Sequence, residues 1–356
     1  MILLNPGPVN VSPRVRKALQ RPDICHREEE FSILLQQVRK KILQAFASSE
    51  EYTAIVLTGS GTAAVEAAIS SCLDPDKKIL IINNGIYGER MSRMAAAYKM
   101  NTVELKFPWQ ERLDLSRIEQ VLSREPAVQV VAMVHHETTT GMISPVGDIS
   151  DLANRYGKRL VVDSVSGLGG EALDLSRHRI DTCIGTAGKC IQGYPGLSFV
   201  LIRREEMNRM QKIAPRSLYL SLPENFKEQE RGTVPFTPAV QLYYAFDEAL
   251  AELLEEGIDR RIARYQAASR LLRQGFSKLG LKSLLPEELR SNTITSLYLP
   301  EGKTYQDLHD RLKERGFVIY AGQGVLQTDI FRVANMGLIK QTEFKKFLFH
   351  LGEILQ

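Results

Sequence analysis

The stretch LTGSGTAAVEAAI, residues 57–69, joins the end of an apolar run to an alanine-rich run through a Gly-Ser-Gly-Thr turn. The apolar run starts at residue 52 and has the length of a strand, whereas the alanine-rich run favours a helix. A strand that leads through a tight glycine turn into a helix is the first half of a βαβ unit. The stretch therefore predicts an α/β fold built on parallel strands.

Apolar runs of strand length recur at regular intervals as far as residue 204. In order, they are YTAIVLTG (52–59), KKILIINNG (77–85), VQVVAMVHHE (128–137), KRLVVDSVSG (158–167), DTCIGTAG (181–188) and LSFVLIRR (197–204). Amphipathic segments separate most of them, which predicts a mostly parallel sheet with helices on both faces. An open sheet of this kind binds its ligand at the carboxyl ends of its strands, so the polar residues there are the candidates for function.

The C-terminal third has a different pattern. Two long helical segments, AVQLYYAFDEALAELLEEG (239–257) and IDRRIARYQAASRLLRQGFSKLG (258–280), meet at Gly257, which has the features of a helix C-cap. Shorter strand and helix patterns then alternate to the end of the chain. We predict a large domain over 15–250 and a small α+β domain over 251–356, with residues 1–14 packing across both.

Composition excludes several classes of function. The formal net charge of +4 comes from scattered charges of both signs, which argues against nucleic-acid binding. The four cysteines lie far apart in the chain, as expected of reduced thiols in a cytoplasmic protein. No apolar run approaches the length of a membrane span. The run His135-His136-Glu137 lacks the spacing of a helical zinc motif, so we expect no metal site.

The turn of residues 59–62 predicts an anion site. Main-chain N–H groups, the N-terminus of the following helix and the hydroxyls of Ser60 and Thr62 converge there around Gly61, which suits a phosphate. The turn also fits a loose dinucleotide fingerprint, but the next strand ends in Asn83-Asn84 instead of an acidic residue. A tight turn with no ligand is a further possibility for this motif alone.

Three more polar residues are predicted at the same edge of the sheet. Asp163 ends the most apolar strand, where a carboxylate needs a cationic partner, and Lys189 follows the next strand among small residues. Tyr87 follows the strand after the glycine turn, where its ring can stack on a flat ligand. A phosphate site, a carboxylate, an amine and an aromatic ring are together what pyridoxal 5′-phosphate requires. Taken singly, each residue is also compatible with a structural or surface role, which for a lone lysine is the usual one.

Eight stretches resemble, in order and nearly end to end, the class V aminotransferases of fold type I. They are LNPGPVNVSPRVRKAL, CHREEEF, LTGSGTAAVEAA, NGIYGER, HHETTTGMISP, VDSVSGLGG, GKCIQGYPG and FRVANMG. The resemblance is strongest to the 2-aminoethylphosphonate–pyruvate transaminases, with the alanine/serine–glyoxylate aminotransferases next. It implies a mostly parallel seven-stranded sheet in the large domain and pyridoxal phosphate as the cofactor.

The resemblance also implies roles for single residues. Lys189 matches the lysine that binds the cofactor covalently, and Asp163 matches the partner of the pyridine nitrogen. Tyr87 matches the residue stacked on the ring, and Thr138 a hydroxyl near its O3′ atom. The loop of Ser60, Gly61 and Thr62 matches the phosphate site.

Two further matches extend the site beyond the cofactor loop. Thr237 matches a threonine that reaches the phosphate from a neighbouring subunit, which implies a homodimer with its active site at the subunit interface. Arg332 matches the arginine that binds the acid group of the substrate. Two positions depart from the pattern. Gly188 stands where relatives commonly have asparagine, so one contact to the cofactor's phosphate or ring is missing there, and Thr186 is the candidate to supply it. Gln323 stands where they commonly have lysine.

The implied reaction moves the amino group of 2-aminoethylphosphonate, or a close aminophosphonate, to pyruvate and gives phosphonoacetaldehyde and L-alanine. The partners are then a small-molecule amino donor and an oxo-acid acceptor. The alternative within the family is alanine or serine transfer to glyoxylate. Two other classes stay open at this stage: a protein that binds the cofactor without catalysis, and a dinucleotide oxidoreductase, which Asn83-Asn84 disfavours.

Overall fold

The computed structural model describes residues 1–356 of the protein. The strands are β1 (Ile2–Leu3), β2 (Tyr52–Thr58), β3 (Lys78–Asn83), β4 (Thr102–Lys106), β5 (Val128–Val134), β6 (His136–Glu137), β7 (Met142–Ile143), β8 (Arg159–Asp163), β9 (Thr182–Thr186), β10 (Leu197–Arg203), β11 (Ile294–Tyr298), β12 (Phe317–Val318), β13 (Tyr320–Ala321) and β14 (Ile330–Ala334).

The helices are α1 (Pro13–Ala18), α2 (Glu29–Phe46), α3 (Gly61–Ser71), α4 (Ile86–Ala97), α5 (Leu115–Arg124), α6 (Val146–Arg155), α7 (Arg204–Met210), α8 (Leu222–Glu230), α9 (Val240–Glu256), α10 (Ile258–Lys278), α11 (Tyr305–Glu314) and α12 (Gln341–Leu355). Two short 3₁₀ helices span Glu287–Leu289 and Gly324–Leu326. No helix combines the length and the apolarity that crossing a bilayer requires.

Seven strands form one sheet in the order β2-β10-β9-β8-β5-β3-β4. Only β10 runs antiparallel to its neighbours, so the prediction of a mostly parallel seven-stranded sheet is confirmed. All six apolar runs of the sequence became strands of this sheet. The seventh strand, β4, carries alternating exposed residues because it lies at the sheet edge, and for that reason no apolar run marked it.

Both faces of the sheet are buried by helices. Side chains alternate along each strand, so Val131 and Met133 of β5 belong to a core of 40 buried residues on one face. Val130 and Ala132 belong to a core of 25 buried residues on the other face. Because neither face meets water, these strands are continuously apolar, and the polar residues of the site appear only where the strands end.

The C-terminal part is α+β, as predicted. An antiparallel sheet of order β11-β14-β13 packs with α10, α11 and α12 around a core of 17 buried residues. Helix α9 ends at Gly257, whose φ of 82° is favourable for glycine. The N-terminal strand β1 pairs in parallel with β12, and Leu4 joins the C-terminal core. This pairing carries the residues just after Leu4 toward the carboxyl edge of the large sheet.

Candidate active site

A cavity of about 260 Å³ lies at the carboxyl edge of the large sheet. Its walls come from the ends of β2, β5, β8 and β9, from the start of α4 and from the N-terminal turn at Gly7 and Pro8. Of the residues singled out from the sequence, it is lined by Ser60, Gly61, Thr62, Tyr87, Asp163, Thr186 and Lys189. These residues come from four separate segments of the chain and converge on one space.

The start of helix α3 forms an anion site in this cavity. Ser60 is the N-cap residue, yet its hydroxyl does not cap the helix, and the N–H groups of Gly61 and Thr62 have no acceptor within the chain. The guanidinium of Arg90 donates from Nη1 to the Thr62 hydroxyl at 2.9 Å. Free N–H groups, two hydroxyls and a nearby cation together suit a phosphate.

Lys189 lies in the turn after β9 with its amine in the cavity. Its Nζ donates to the main-chain oxygen of Pro6, and a Cβ on Gly7 would come within 2.7 Å of that nitrogen. Gly7 also has a φ of +116°, which L side chains rarely adopt, so glycine is required there twice over. Burial lowers the pKa of Lys189 to about 8, so a substantial fraction of the amine is neutral near physiological pH.

Asp163 ends β8 and is buried in the cavity wall. Its Oδ1 accepts a hydrogen bond from the Val165 N–H at 2.9 Å, while Oδ2 has no partner in the chain. Burial raises the pKa of Asp163 to about 6, although the charges of Arg90 and Lys189 act in the opposite direction. A cation placed against Oδ2 would favour the ionised form further, so the carboxylate is suited to hold a positively charged ring nitrogen.

Tyr87 and Arg90 lie on one face of the first turns of α4. Their spacing of three residues brings the guanidinium over the tyrosine ring, with 4.7 Å from Cζ to the ring centroid. The same guanidinium contacts Thr62, as described above, so the ring and the anion site are joined by one side chain. Both residues line the cavity.

Glu137 contacts the start of α4 through hydrogen bonds. One carboxylate oxygen accepts from the Tyr87 N–H at 3.2 Å, and the other accepts from the Thr139 N–H at 3.1 Å and from the Thr139 hydroxyl at 2.5 Å. The Thr139 hydroxyl oxygen accepts in turn from the Ile86 N–H at 3.3 Å. Glu137 is fully buried, and burial raises its pKa to about 7. It is a positioning residue for Tyr87.

His136 lines the cavity and has a fixed tautomer. Its Nδ1 lies 3.1 Å from the Ser166 carbonyl oxygen, which can only accept, so Nδ1 carries the proton. The Nε2 atom is buried without a partner and is therefore a free acceptor. Burial lowers the pKa of this ring to about 3, so it stays neutral.

Arg332 and Thr138 meet beside the cavity and do not line it. Arg332 lies on β14, buried, and donates from Nη1 to the Thr138 main-chain oxygen at 2.8 Å. The Thr138 hydroxyl is buried with no partner. Burial is the main cause of the lowered pKa of Lys189, and the positive charge of Arg332 acts in the same direction.

The comparisons with known proteins agree with this geometry. The family model described as aminotransferase class-V matches residues 14–340. The chain belongs to the class-V aminotransferases. A relative from Salmonella schwarzengrund named 2-aminoethylphosphonate–pyruvate transaminase is 39% identical over 98% of this chain and 95% of the relative. One of that name from Vibrio cholerae is 38% identical over the same shares.

Solved structures place this aminotransferase in the same fold. The alanine–glyoxylate aminotransferase of Nostoc sp. matches with a TM-score of 0.94 and 26% identity, covering all of this chain and 95% of that one. The aspartate aminotransferase of Thermus thermophilus matches with a TM-score of 0.91 and 27% identity, over 100% and 99% of the two chains. The predicted fold type I architecture is confirmed.

The departure at Gly188 has a packing reason in this aminotransferase. A Cβ at Gly188 would lie 3.1 Å from the main-chain nitrogen and Cα of Pro195, so a side chain there requires the Pro195 turn to move. Thr186 lines the cavity nearby, but its hydroxyl donates to the Leu197 carbonyl at 3.0 Å. Thr186 can thus offer a ligand its oxygen lone pairs.

Thr237 lies away from the cavity within one chain. It is exposed on the surface, beside Tyr219 and Phe236, whose stacked rings have centroids 5.0 Å apart. A single copy of this aminotransferase therefore does not bring Thr237 to Lys189. The chain has no group of three or more His, Cys, Asp or Glu side chains placed to hold a metal ion.

Four contributors to the site were not identified from the sequence: Pro6, Arg90, His136 and Glu137. Arg90 had a signal, because it follows Tyr87 by three residues at the start of a predicted helix. Glu137 and His136 had a weaker one, since both directly follow an apolar strand. The Pro6 carbonyl had none, because it lies 183 residues from Lys189 along the chain.

Proposed function

We propose that this class-V aminotransferase binds pyridoxal 5′-phosphate and transfers the amino group of 2-aminoethylphosphonate, or a close aminophosphonate, to pyruvate. The observation that carries the proposal is the meeting, in one cavity, of the Lys189 amine, the Asp163 carboxylate and the free N–H groups of Gly61 and Thr62. The names of the curated relatives support the choice of substrates. The products would be phosphonoacetaldehyde and L-alanine.

The residues of the cavity fit this cofactor. The anion site at Gly61 and Thr62 suits its phosphate, and the free Oδ2 of Asp163 suits a protonated ring nitrogen. Tyr87 provides a ring face for stacking, and the unpartnered hydroxyl of Thr138, which lies beside the cavity, is the candidate partner of the ring oxygen O3′. Apart from the stacking on Tyr87, each fit rests on a polar group that the protein itself leaves unsatisfied, and buried groups of that kind usually have a partner.

When bound, pyridoxal phosphate supplies an electron sink that makes a proton on the amine-bearing carbon acidic. Lys189 can take that proton at Nζ in its neutral form, because burial keeps its pKa near 8. Asp163 stays ionised when a cation binds Oδ2, and it holds that cation in place. Asp163 is buried and Lys189 is half-buried, so little water can compete for the proton.

Arg332 orients the substrate in this proposal. Its guanidinium can bind a phosphonate or a carboxylate through charge-assisted hydrogen bonds, which fixes the carbon that loses its proton. The second candidate function is alanine or serine transfer to glyoxylate. Gln323, a neutral side chain next to Arg332, keeps this candidate in view, because an acid site with a single cation suits a carboxylate as well as a phosphonate.

We also propose a homodimer with its active site at the subunit interface. Thr237 lies on an exposed surface with Tyr219 and with Leu218, whose exposed fraction is 79%. A second copy covering this surface would bring Thr237 to the anion site of its neighbour. Within each copy we propose a large domain over 15–250 and a small domain over 251–356, with residues 1–14 across both.

The direct experiment is to load the protein with pyridoxal phosphate and add candidate amines singly while recording the visible spectrum. We expect 2-aminoethylphosphonate to convert the bound cofactor to its amine form, and pyruvate to restore it with release of alanine. Conversion by alanine or serine with restoration by glyoxylate alone would select the second candidate. No conversion by any of these amines would contradict both.

A further inference from the structure

Arg332 is a buried cation without an acidic partner. Its exposed fraction is 1%, and it forms no salt bridge within the chain, whereas Arg261, which is 2% exposed, pairs with Glu256 at 2.7 Å. Burial lowers the pKa of Arg332. A buried charge of this kind requires an anion or a set of polar acceptors. The structure supplies acceptors only.

Three of the five N–H groups of Arg332 have acceptors. Its Nε donates to the Ala321 carbonyl at 2.9 Å. Its Nη1 donates both to the Thr138 carbonyl at 2.8 Å and to the Gln323 side-chain oxygen at 3.2 Å. Its Nη2 has no acceptor in the chain. An acid group that binds the guanidinium with two parallel bonds needs a donor from Nη1 as well as Nη2, because the Nε donor is occupied by main chain.

The two acceptors on Nη1 are not equivalent. The Thr138 oxygen belongs to the main chain at the end of the β6 strand, so it moves only with the backbone. The Gln323 oxygen is at the end of a flexible side chain, in a loop just before the 3₁₀ helix Gly324–Leu326, and its bond is the longer of the two. An arriving acid group would therefore replace Gln323, since a charged oxygen forms the stronger bond to a guanidinium.

We infer that Gln323 competes with the acid group of the substrate for Arg332, holding Nη1 while the site is empty and giving it up when a phosphonate or carboxylate binds. Gln323 thus sets the affinity of the acid site. This inference rests on the proposed role of Arg332 as the acid-binding residue. It names one side chain, outside the cofactor cavity, as a determinant of substrate affinity.

Two substitutions at Gln323 should change affinity in opposite directions. In Gln323→Ala the competitor is absent, so acid ligands should bind about 3- to 10-fold more tightly, as removal of one ordinary hydrogen bond implies. In Gln323→Glu the competitor is a carboxylate that pairs with Arg332, so acid ligands should bind at least about 10-fold more weakly. A residue that merely supported Arg332 would weaken binding in both variants.

The probes are methylphosphonate and acetate, which carry the acid group and no amine, titrated calorimetrically into protein loaded with pyridoxal phosphate. Loading keeps the anion site at Gly61 occupied, so that methylphosphonate reports on Arg332. Gln327→Glu is the matched control, because it makes the same charge change on an exposed residue of the same loop. The affinity of this variant for both probes should stay within about twofold of that of the wild type. Arg332→Lys should weaken binding of both probes.

Tighter binding in Gln323→Ala together with weaker binding in Gln323→Glu supports the inference. Weaker or unchanged binding in Gln323→Ala overturns it, as does unchanged binding in Gln323→Glu or in Arg332→Lys. The probes do not react, so the result is independent of amino transfer. Failure of the proposed function would appear instead as a loaded protein that binds methylphosphonate at Arg332 and converts no amine.

Discussion

The cavity at Lys189 and the proposed acid site at Arg332 are built in different ways in this aminotransferase. In the cavity, Asp163 and Lys189 follow neighbouring strands of one sheet, and main-chain groups hold both. At the acid site, Arg332 comes from the C-terminal sheet and meets a main-chain oxygen of the large sheet's loop and a flexible glutamine. The fold itself therefore fixes the position of the proposed chemistry, whereas a few exchangeable side chains can set the choice of substrate.

The largest effect should come from Lys189→Ala, which removes the amine from the cavity and leaves the acid site untouched. Amino transfer should fall by at least about 10⁴-fold, because in the proposed reaction this one residue both binds the cofactor and moves the proton. Steady-state rates and the visible spectrum of the loaded protein measure this. Lys212→Ala, at an exposed position, is the control. Retention of a tenth of the activity in Lys189→Ala would contradict the proposed role of the cavity in amino transfer.

Asp163→Asn should give the next largest loss. Asparagine keeps the hydrogen bond from the Val165 N–H but loses the negative charge, so kcat should fall by about 10²- to 10³-fold. The KM for the acidic substrate should change little, since Arg332 is unaltered. The exposed Asp148→Asn serves as the control. A rise in KM as large as the fall in kcat would mean that the two regions are not separate.

The capture of pyridoxal phosphate should depend on pH through Lys189. The neutral amine is the reactive form, and its pKa is lowered to about 8 by burial. The rate of covalent capture should therefore rise about tenfold for each pH unit below 8 and level off above it. Stopped-flow absorbance measures this rate. A rate that keeps rising to pH 10 would indicate a solvated lysine and a different reactive residue.

Glu137→Gln should have the smallest effect on activity and a clear effect on stability. The pKa of Glu137 is raised from 4.5 to about 7, so the native protein favours the protonated form, and its stability falls as pH rises through that window. Glutamine lacks this titration, so the variant should be most destabilised relative to the wild type near pH 5 and less so near pH 8.

Thermal unfolding at the two pH values tests the Glu137 prediction, with Glu89→Gln, at an exposed position of the helix α4 that Glu137 contacts, as the control. Cofactor affinity should also weaken severalfold, because an amide cannot accept from both the Tyr87 and the Thr139 N–H groups. The affinity of the acid site should stay unchanged, although Glu137 directly precedes Thr138. If Glu137→Gln destabilised the protein equally at both pH values, the raised pKa of the buried Glu137 carboxyl would be contradicted.

The part of the fold and site that could be predicted is the part encoded locally. The strand and turn before Gly61, the end of β8 at Asp163 and the turn at Lys189 each carry their signal in about ten neighbouring residues. Parallel strands with buried carboxyl ends then bring them together. The edge strand β4 gave no such signal because half of its residues face water.

What could not be predicted depends on contacts between distant segments. The Pro6 carbonyl reaches Lys189 only because β1 pairs with β12 near the other end of the chain. The contact between Gln323 and Arg332 depends on how a loop folds back onto β14, and nothing in the residue types requires it. Thr237 depends on a second chain, so its role stays a prediction.

The central claim is that Lys189 is the amine that holds the cofactor. The most direct measurement is to incubate the protein with pyridoxal phosphate, reduce it with borohydride to make the bond permanent, and identify the modified peptide by mass spectrometry. We expect one cofactor per chain, on the peptide that contains Lys189. Labelling of any other lysine with Lys189 unmodified, or no labelling at all, would contradict the claim.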